Sequence, residues 1–167
     1  MADQIISQEY LREIFDYKDG ELYNKTFRNP NSKIGSKAGK VGTRNYKRIM
    51  VNSVLYQFHH IVYFYHHGIM PKVVDHIDGN PANNKIENLR MATFSQNSYN
   101  AKLSKKNKSG HKNICWCKKY NYWKVTIRVN GKPKWFGAYK DIDYAIFVAN
   151  AMRHKYHGKF ANNGKQK

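Results

Sequence analysis

The sequence predicts an α+β fold in two modules, and three features predict it. Short apolar strands alternate with short helices up to about residue 100. A basic stretch from Lys102 to Lys112 then interrupts the apolar pattern. Beyond it, Trp123 to Val129 alternates with period two and is followed by a turn signal, a further strand and an amphipathic helix. The expected boundaries are a first domain over 1–101, a basic linker over 102–112, a second domain over 113–162 and a tail over 163–167.

Taken in order, Ser7 caps a first helix, with Glu9 favourable in its first turn, predicted to run to about Tyr17. Asp19-Gly20 is a turn, and Glu21 to Lys25 a strand. Residues 28–45, rich in Asn, Gly, Ser, Lys and Arg, read as a mobile basic loop that could order on a phosphate backbone. Lys47 to Val51 and Val54 to Phe58 read as strands, and His59 to His67 as a buried helix stopped by Gly68. Val73 to His76 is a strand, Asp78-Gly79-Asn80-Pro81 a turn, and Leu89 to Ala92 the returning strand. Thr93 or Ser95 then caps a helix to about Leu103. In the second module Asn130-Gly131 signals a hairpin, although Pro133 weakens pairing beyond it. Lys134 to Gly137 is the next strand. Asp141 caps the last helix, whose apolar face is Ala145, Val148, Ala149, Met152 and Tyr156, with Gly158 at its end.

Charge narrows the function. Lys and Arg number 30 against 11 Asp and Glu, a formal net charge of +19. That excess implies an anionic partner, most often nucleic acid. No apolar run is long enough for a membrane span. The first residues lack a signal-peptide layout, and two cysteines make no secreted disulfide framework. A soluble intracellular protein is therefore expected. The acids are unevenly placed: none lies from Leu22 to Val74, and then come Asp75, Asp78 and Glu87. Acids within a basic desert oppose polyanion binding unless they hold a cation or do chemistry.

Asp75-His76 stands beside a tight turn, with Asn88 and Asn97 following. Phosphodiester hydrolysis needs a base to activate water and a cation to stabilise the charge that develops. Histidine is the natural base near neutral pH. Asp and Asn oxygens are hard ligands, suited to Mg²⁺ or Mn²⁺ rather than zinc. A strand–turn–strand–helix unit would bring the end of its first strand to the start of its helix, with Asp75 and Asn97 either side of one ion.

The run Val74-Asp75-His76-Ile77-Asp78-Gly79-Asn80, then Asn83-Asn84, Glu87-Asn88-Leu89-Arg90, Thr93 and Asn97, resembles the HNH endonucleases, closest to the phage and intron-encoded homing type. His59-His60-Ile61-Val62 resembles the His-Arg-Leu-Val segment preceding that motif, with His60 where Arg is usual. The resemblance implies a ββα-metal (His-Me finger) domain in which His76 is the general base and Asp75 and Asn97 hold the ion. It gives Asn88 the task of bracing the loop and orienting His76, and puts His59 near the site in a structural role.

From about Lys108 to Asn162 the chain resembles the Apetala-type, ethylene-response-factor DNA-binding domain. The markers are Ser109-Gly110, Asn113-Ile114, Trp123 to Arg128, Trp135-Phe136-Gly137-Ala138-Tyr139 and His157 to Asn162. That resemblance implies a three-stranded antiparallel sheet packed on one helix, its outer face in the major groove. Alternation turns Trp123, Val125, Ile127 and Val129 to the helix and Lys124, Thr126 and Arg128 outward. Trp116, Lys118, Tyr120 and Trp135 are implied on the same outer face, and Cys115 and Cys117 on the helix side as buried free thiols.

The expected function is a metal-dependent, homing-type DNA endonuclease that nicks at preferred sites. Double-stranded DNA is the expected partner, with Arg90, Lys105, Lys106 and Lys108 as further DNA contacts. No protein or membrane partner is implied, and a monomer in the cytoplasm, the host's if phage-encoded, is expected. A non-enzymatic DNA-binding regulator and a basic RNA-binding protein are the alternatives.

Overall fold

Residues 6–164 are described by a computed structural model, a mixed α/β structure built from small antiparallel sheets. The chain divides into two compact units, Met1–Thr93 and Phe94–Lys167. The division falls before the boundary expected after residue 101, and residues 165–167 of the expected tail lie outside the described residues.

The first unit opens with α1 (Gln8–Ile14), capped by Ser7, whose Oγ accepts from the Tyr10 N–H at 3.0 Å. The helix ends at Ile14, before the expected Tyr17. Phe15, fully buried, turns the chain into strand β1 (Phe15–Lys18), paired with β2 (Glu21–Asn24). Residues 28–45 are not the mobile loop their composition suggests. Ser32 is buried and its Oγ accepts from the Arg28 and Asn29 N–H groups, Gly35 N donates to Asn24 O at 2.7 Å, and Ala38 N to Leu22 O at 2.7 Å. The polar side chains act as turn-formers that lay this segment along β2. It leads into β3 (Lys40–Val41), which pairs with β4 (Lys47–Val51), itself paired with β5 (Val54–Gln57). Helix α2 (Phe58–His67) stops at Gly68, whose φ of 66° is the left-handed C-cap that glycine supplies. Leu11, Phe15, Leu22, Ile49, Val51, Phe58, Ile61 and Val62 form the core. Val74 and Leu89 join it from the hairpin of β6 (Val74–His76) and β7 (Leu89–Met91), so the hairpin is fastened by its apolar residues and carries its polar ones with it.

The second unit begins with α3 (Phe94–Asn100), three residues shorter than expected at its C-terminal end. Tyr99 stacks on His157, with ring centroids 3.7 Å apart, and Lys112 Nζ donates to the carbonyls of Tyr99 and Ala101. Burial, then the neighbouring Arg153, pushes Lys112 down to about 8. The expected linker is thus partly folded structure: Ser109 Oγ donates to Ile114 O at 2.7 Å, and Asn107 Nδ2 to His111 O at 3.0 Å. Lys105, Lys106 and Lys108 remain exposed.

Strands β8 (Ile114–Cys117), β9 (Tyr122–Val129) and β10 (Lys132–Tyr139) form an antiparallel sheet in the order β10-β9-β8. Asn130 and Gly131 both have positive φ, as a two-residue hairpin turn requires. Pro133 does not disrupt the pairing, because β10 is an edge strand. Helix α4 (Ile142–His157) is capped by Asp141 and packs Ala145 and Ala149 against Val125 and Ile127. Arg153 is buried on this helix, its guanidinium held by Lys112 O and the amide oxygens of Asn113, Asn150 and Asn163.

Register corrects the face assignment on β8. Ile114 stands opposite Val125 on the helix side, so Cys115, opposite Lys124, and Cys117, opposite Tyr122, lie on the outer face. Cys115 is exposed and Cys117 half-exposed, and both are free thiols, not buried ones. Trp116 pairs with Trp123 on the helix side, ring centroids 4.9 Å apart, rather than facing outward. Lys118 and Tyr120 belong to the turn between β8 and β9. Trp135, opposite Thr126, is on the outer face and 63% exposed, with Lys124 and Arg128. Thr126 Oγ1 is covered and lacks a hydrogen-bond partner.

Candidate active site

The β6–β7 hairpin brings Asp75 opposite Arg90 and His76 opposite Leu89. Both Asp75 and His76 are buried, 4% and 5% exposed. Arg90 Nε donates to Asp75 Oδ2 at 2.7 Å, and Nη2 lies 2.7 Å from the same oxygen. Arg90, expected on DNA, is the cross-strand partner of Asp75 and fixes the orientation of its carboxylate. A charge pair this buried holds its geometry well, since losing one partner strands the other charge.

His76 sits among rings. His59 of α2 is 4.9 Å from it between centroids and Tyr46 is 6.1 Å away, while His60 lies 4.8 Å from His59. His59 is thus packed beside His76. Burial, then the neighbouring His76 and His60, lowers His59 to about 3. Burial also depresses His76, against the opposing pull of the Asn84 hydrogen bond and of Asp78 and Asp75. His76 is therefore neutral at neutral pH, the state a base needs.

The loop between the strands is braced around Asp78 and Asn88. Asp78 Oδ1 accepts from the Asn80 N–H at 2.8 Å and from Asn88 Nδ2 at 3.0 Å, and Oδ2 accepts from Asn83 Nδ2 at 2.8 Å. Asn88 Oδ1 accepts from the Asp78 N–H, and Nδ2 donates again to Asn83 O. Burial raises the Asp78 pKa, but the hydrogen bonds from Asn80, Asn83 and Asn88 outweigh it and leave a net lowering. Asn88 thus ties the two ends of the loop together. A hydrogen bond of the histidine ring is made with another residue: His76 Nε2 lies 3.1 Å from Asn84 Oδ1, an acceptor. Asn84 Nδ2 donates to Ala82 O at 3.4 Å, which orients the amide with its oxygen toward the ring. With the amide in that orientation, the tautomer that suits the contact has Nε2 donating to Asn84 Oδ1 and the lone pair on Nδ1.

The N-terminal hairpin supports this loop. Tyr17 Oη accepts from the Ile86 N–H at 2.9 Å. Gly20, φ 83°, lies so close that a Cβ on it would meet Lys85 N at 2.8 Å and Asn84 C at 3.0 Å. Neither buttress was visible in the sequence, because both depend on how the turn at Asp19-Gly20 meets the loop. His66 is also structural, its ring edge-on to Tyr17 at 4.4 Å.

Asn97 lies on α3 and is exposed. Among the described residues no group of three or more His, Cys, Asp or Glu could cage a metal. Asp75 offers a single fixed carboxylate, a donor set that fits a Mg²⁺-like ion completed by neutral oxygens, water and substrate phosphate, and not a zinc cage.

Residues 56–99, which contain this hairpin and loop, match the HNH endonuclease family, and the chain carries an HNH endonuclease domain there. The chain is 38% identical over 96 residues to Protein 3.8 of Escherichia phage T7, covering 56% of this chain and 78% of that protein. At that identity and coverage it belongs to the family of Protein 3.8. It is also 36% identical over 88 residues to the uncharacterized HNH endonuclease L560 of Acanthamoeba polyphaga mimivirus, covering 53% of this chain and 44% of that one. No solved structure matches. No helix among the described residues is long and apolar enough to cross a membrane.

Proposed function

We propose that the protein is a divalent-metal-dependent DNA endonuclease of homing type that nicks at preferred sites. The observation that carries this is the buried His76 ring, its Nε2 against Asn84 Oδ1, on the same short strand as the oriented Asp75 carboxylate. His76 Nδ1 takes the proton from a water that attacks the scissile phosphate in line. Asn84 holds the tautomer, and Asn88 holds the loop that carries Asn84. Asp75 would hold the ion, with Asn97 assigned as its second ligand from the motif alone. Such an ion, Mg²⁺ or Mn²⁺, supplies stabilisation of the charge that grows on the phosphate and the leaving 3′ oxygen. A single catalytic histidine per chain nicks one strand of the duplex.

DNA recognition is assigned to the second unit, following its resemblance to Apetala-type domains. Lys124, Arg128 and Trp135 present charge and an aromatic face outward, bordered by Lys118 and Tyr120. Arginine reads guanine bidentately, and lysine holds phosphate. Thr126 and Trp116 contribute through the shape of the sheet. Lys105, Lys106 and Lys108 follow the backbone.

Supercoiled plasmid incubated with Mg²⁺, with Mn²⁺ and with EDTA tests the proposal. Nicked circles are expected to accumulate before linear product with either ion and not in EDTA. Cleavage that persists in EDTA would overturn the metal-dependent mechanism.

A further inference from the structure

The first unit contains a cavity, about 510 Å³ in volume, between the segment 24–40 and the face of β4. Its lining includes Arg28, Lys40 and Arg48 and no acid. None of His76, Asp75 and Asn84 belongs to it, so it stands apart from the nuclease assignment. Its volume falls within the roughly 300–1,000 Å³ usual for small-molecule sites.

The cations are arranged at a cost to the free protein. Lys40 and Arg48 are direct cross-strand partners, so two like charges face each other on one side of the sheet. Like charges in that position destabilise a strand pair. Among the described residues no ion pair relieves Lys40, Arg48 or Arg28. Lys37, also on the cavity wall, differs in lying 3.9 Å from Glu21. The Arg28 guanidinium lies over the Phe15 ring at 4.6 Å and donates through Nη2 to Asn24 Oδ1, but its Nε is buried with no hydrogen-bond partner. A buried donor without an acceptor, on the wall of a cavity that also carries two opposed cations, would be stabilised by an anion.

The ligand has an apolar face as well. Met50 and Leu55, opposite each other across β4 and β5, line the same cavity and are 60% and 55% exposed. Ile49 contributes to its wall. Large apolar side chains left open beside a cationic pocket suit an anion that carries a flat or apolar group. We infer that this cavity binds a nucleotide, its phosphate among Arg28, Lys40 and Arg48 and its base or sugar against Met50 and Leu55. The nucleotide is either free in solution or one unit of a nucleic-acid strand.

Calorimetric titration of the full chain without divalent ion, so that nothing is cut, tests this with dAMP, inorganic phosphate and a short single-stranded oligodeoxynucleotide. dAMP is expected to bind saturably and more tightly than phosphate. The pair Lys40→Gln/Arg48→Gln, both at exposed positions, should weaken it roughly tenfold or more. Leu55→Ala should weaken dAMP and leave phosphate unchanged. Circular dichroism checks that each variant is folded. If the oligonucleotide binds and dAMP does not, and the same variants weaken the oligonucleotide, the bound unit belongs to a strand. Equal affinity for phosphate and dAMP, or binding of dAMP and oligonucleotide that the folded variants leave unchanged, would overturn the inference. None of these outcomes depends on cleavage, so failure here leaves the nuclease proposal standing.

Discussion

In the proposed mechanism Asn84 sets which nitrogen of His76 is basic. Asn84→Ala removes a hydrogen bond of the buried His76 ring, which costs about 1–3 kcal/mol of stability, and loosens the preference for one tautomer. It should lower kcat with little change in KM, since Asn84 holds the base and not the DNA. Asn84→Asp places a carboxylate against Nε2 and raises the His76 pKa. The acid limb of the wild-type kcat/KM profile is expected below the ordinary histidine range, because burial depresses His76, and Asn84→Asp should move it upward. His59 makes a separate prediction about stability. Its folded pKa is about 3 against an ordinary 6.5, so between those values the unfolded chain binds a proton that the native chain refuses. Stability is then complete above pH 6.5 and falls as pH drops from there toward 3. Urea titrations at neutral and acid pH should show a smaller loss for His59→Phe than for wild type. Asp75 and His76 were legible from their spacing to the turn and the acid-poor flanks. Asn84 was not, because an Asn-Asn pair after a turn looks like turn chemistry until the path of the loop is known.

At the scale of elements, the turn of the N-terminal hairpin supports the loop that carries Asn84. Gly20→Ala adds a Cβ against the Lys85 backbone, 2.8 Å from its nitrogen, at a φ of 83°. Backbone strain alone costs of the order of 1–3 kcal/mol. The variant should lose that stability in thermal or urea unfolding and also lose kcat, although Gly20 is remote in sequence from the histidine. Wild-type kcat in a folded Gly20→Ala protein would show that the turn does not position the loop. Most elements were readable, because capping residues, Asn-Gly and Asp-Gly turns and the glycine after α2 are local signals. Two kinds of feature were not. The segment 28–45 has the composition of a loop, and its order comes from a local turn bond at Ser32 together with Asn24–Ser36 bonds that reach back to β2. The inward face of β8 depends on register: Ile114, not Cys115, meets Val125, and that one-residue choice exchanges the sides of Trp116 and both thiols.

For the whole molecule, the charge of +19 and its distribution make binding salt-dependent. From Asn88 to Lys140 there are 13 Lys and Arg residues and no acid. Lys105→Ala or Lys108→Ala should weaken binding to every sequence alike and reduce the salt slope by about one for each phosphate no longer neutralised. Arg128→Ala should instead relax preference at one base position, by about 1–3 kcal/mol. Binding to a randomised-site library across a salt series separates the two effects. The division of the chain was only partly legible. The lysine-rich stretch reads as a boundary by composition, yet Tyr99, Asn100 and Lys112 knit α3 and that stretch into the second unit. The measurement that bears most directly on the central claim is single-turnover cleavage by His76→Ala beside its DNA affinity. Cleavage is expected to fall by roughly 10²–10⁴-fold, the usual worth of a general base, with affinity for duplex DNA unchanged. Cleavage near the wild-type rate, at unchanged affinity, would contradict His76 as the base.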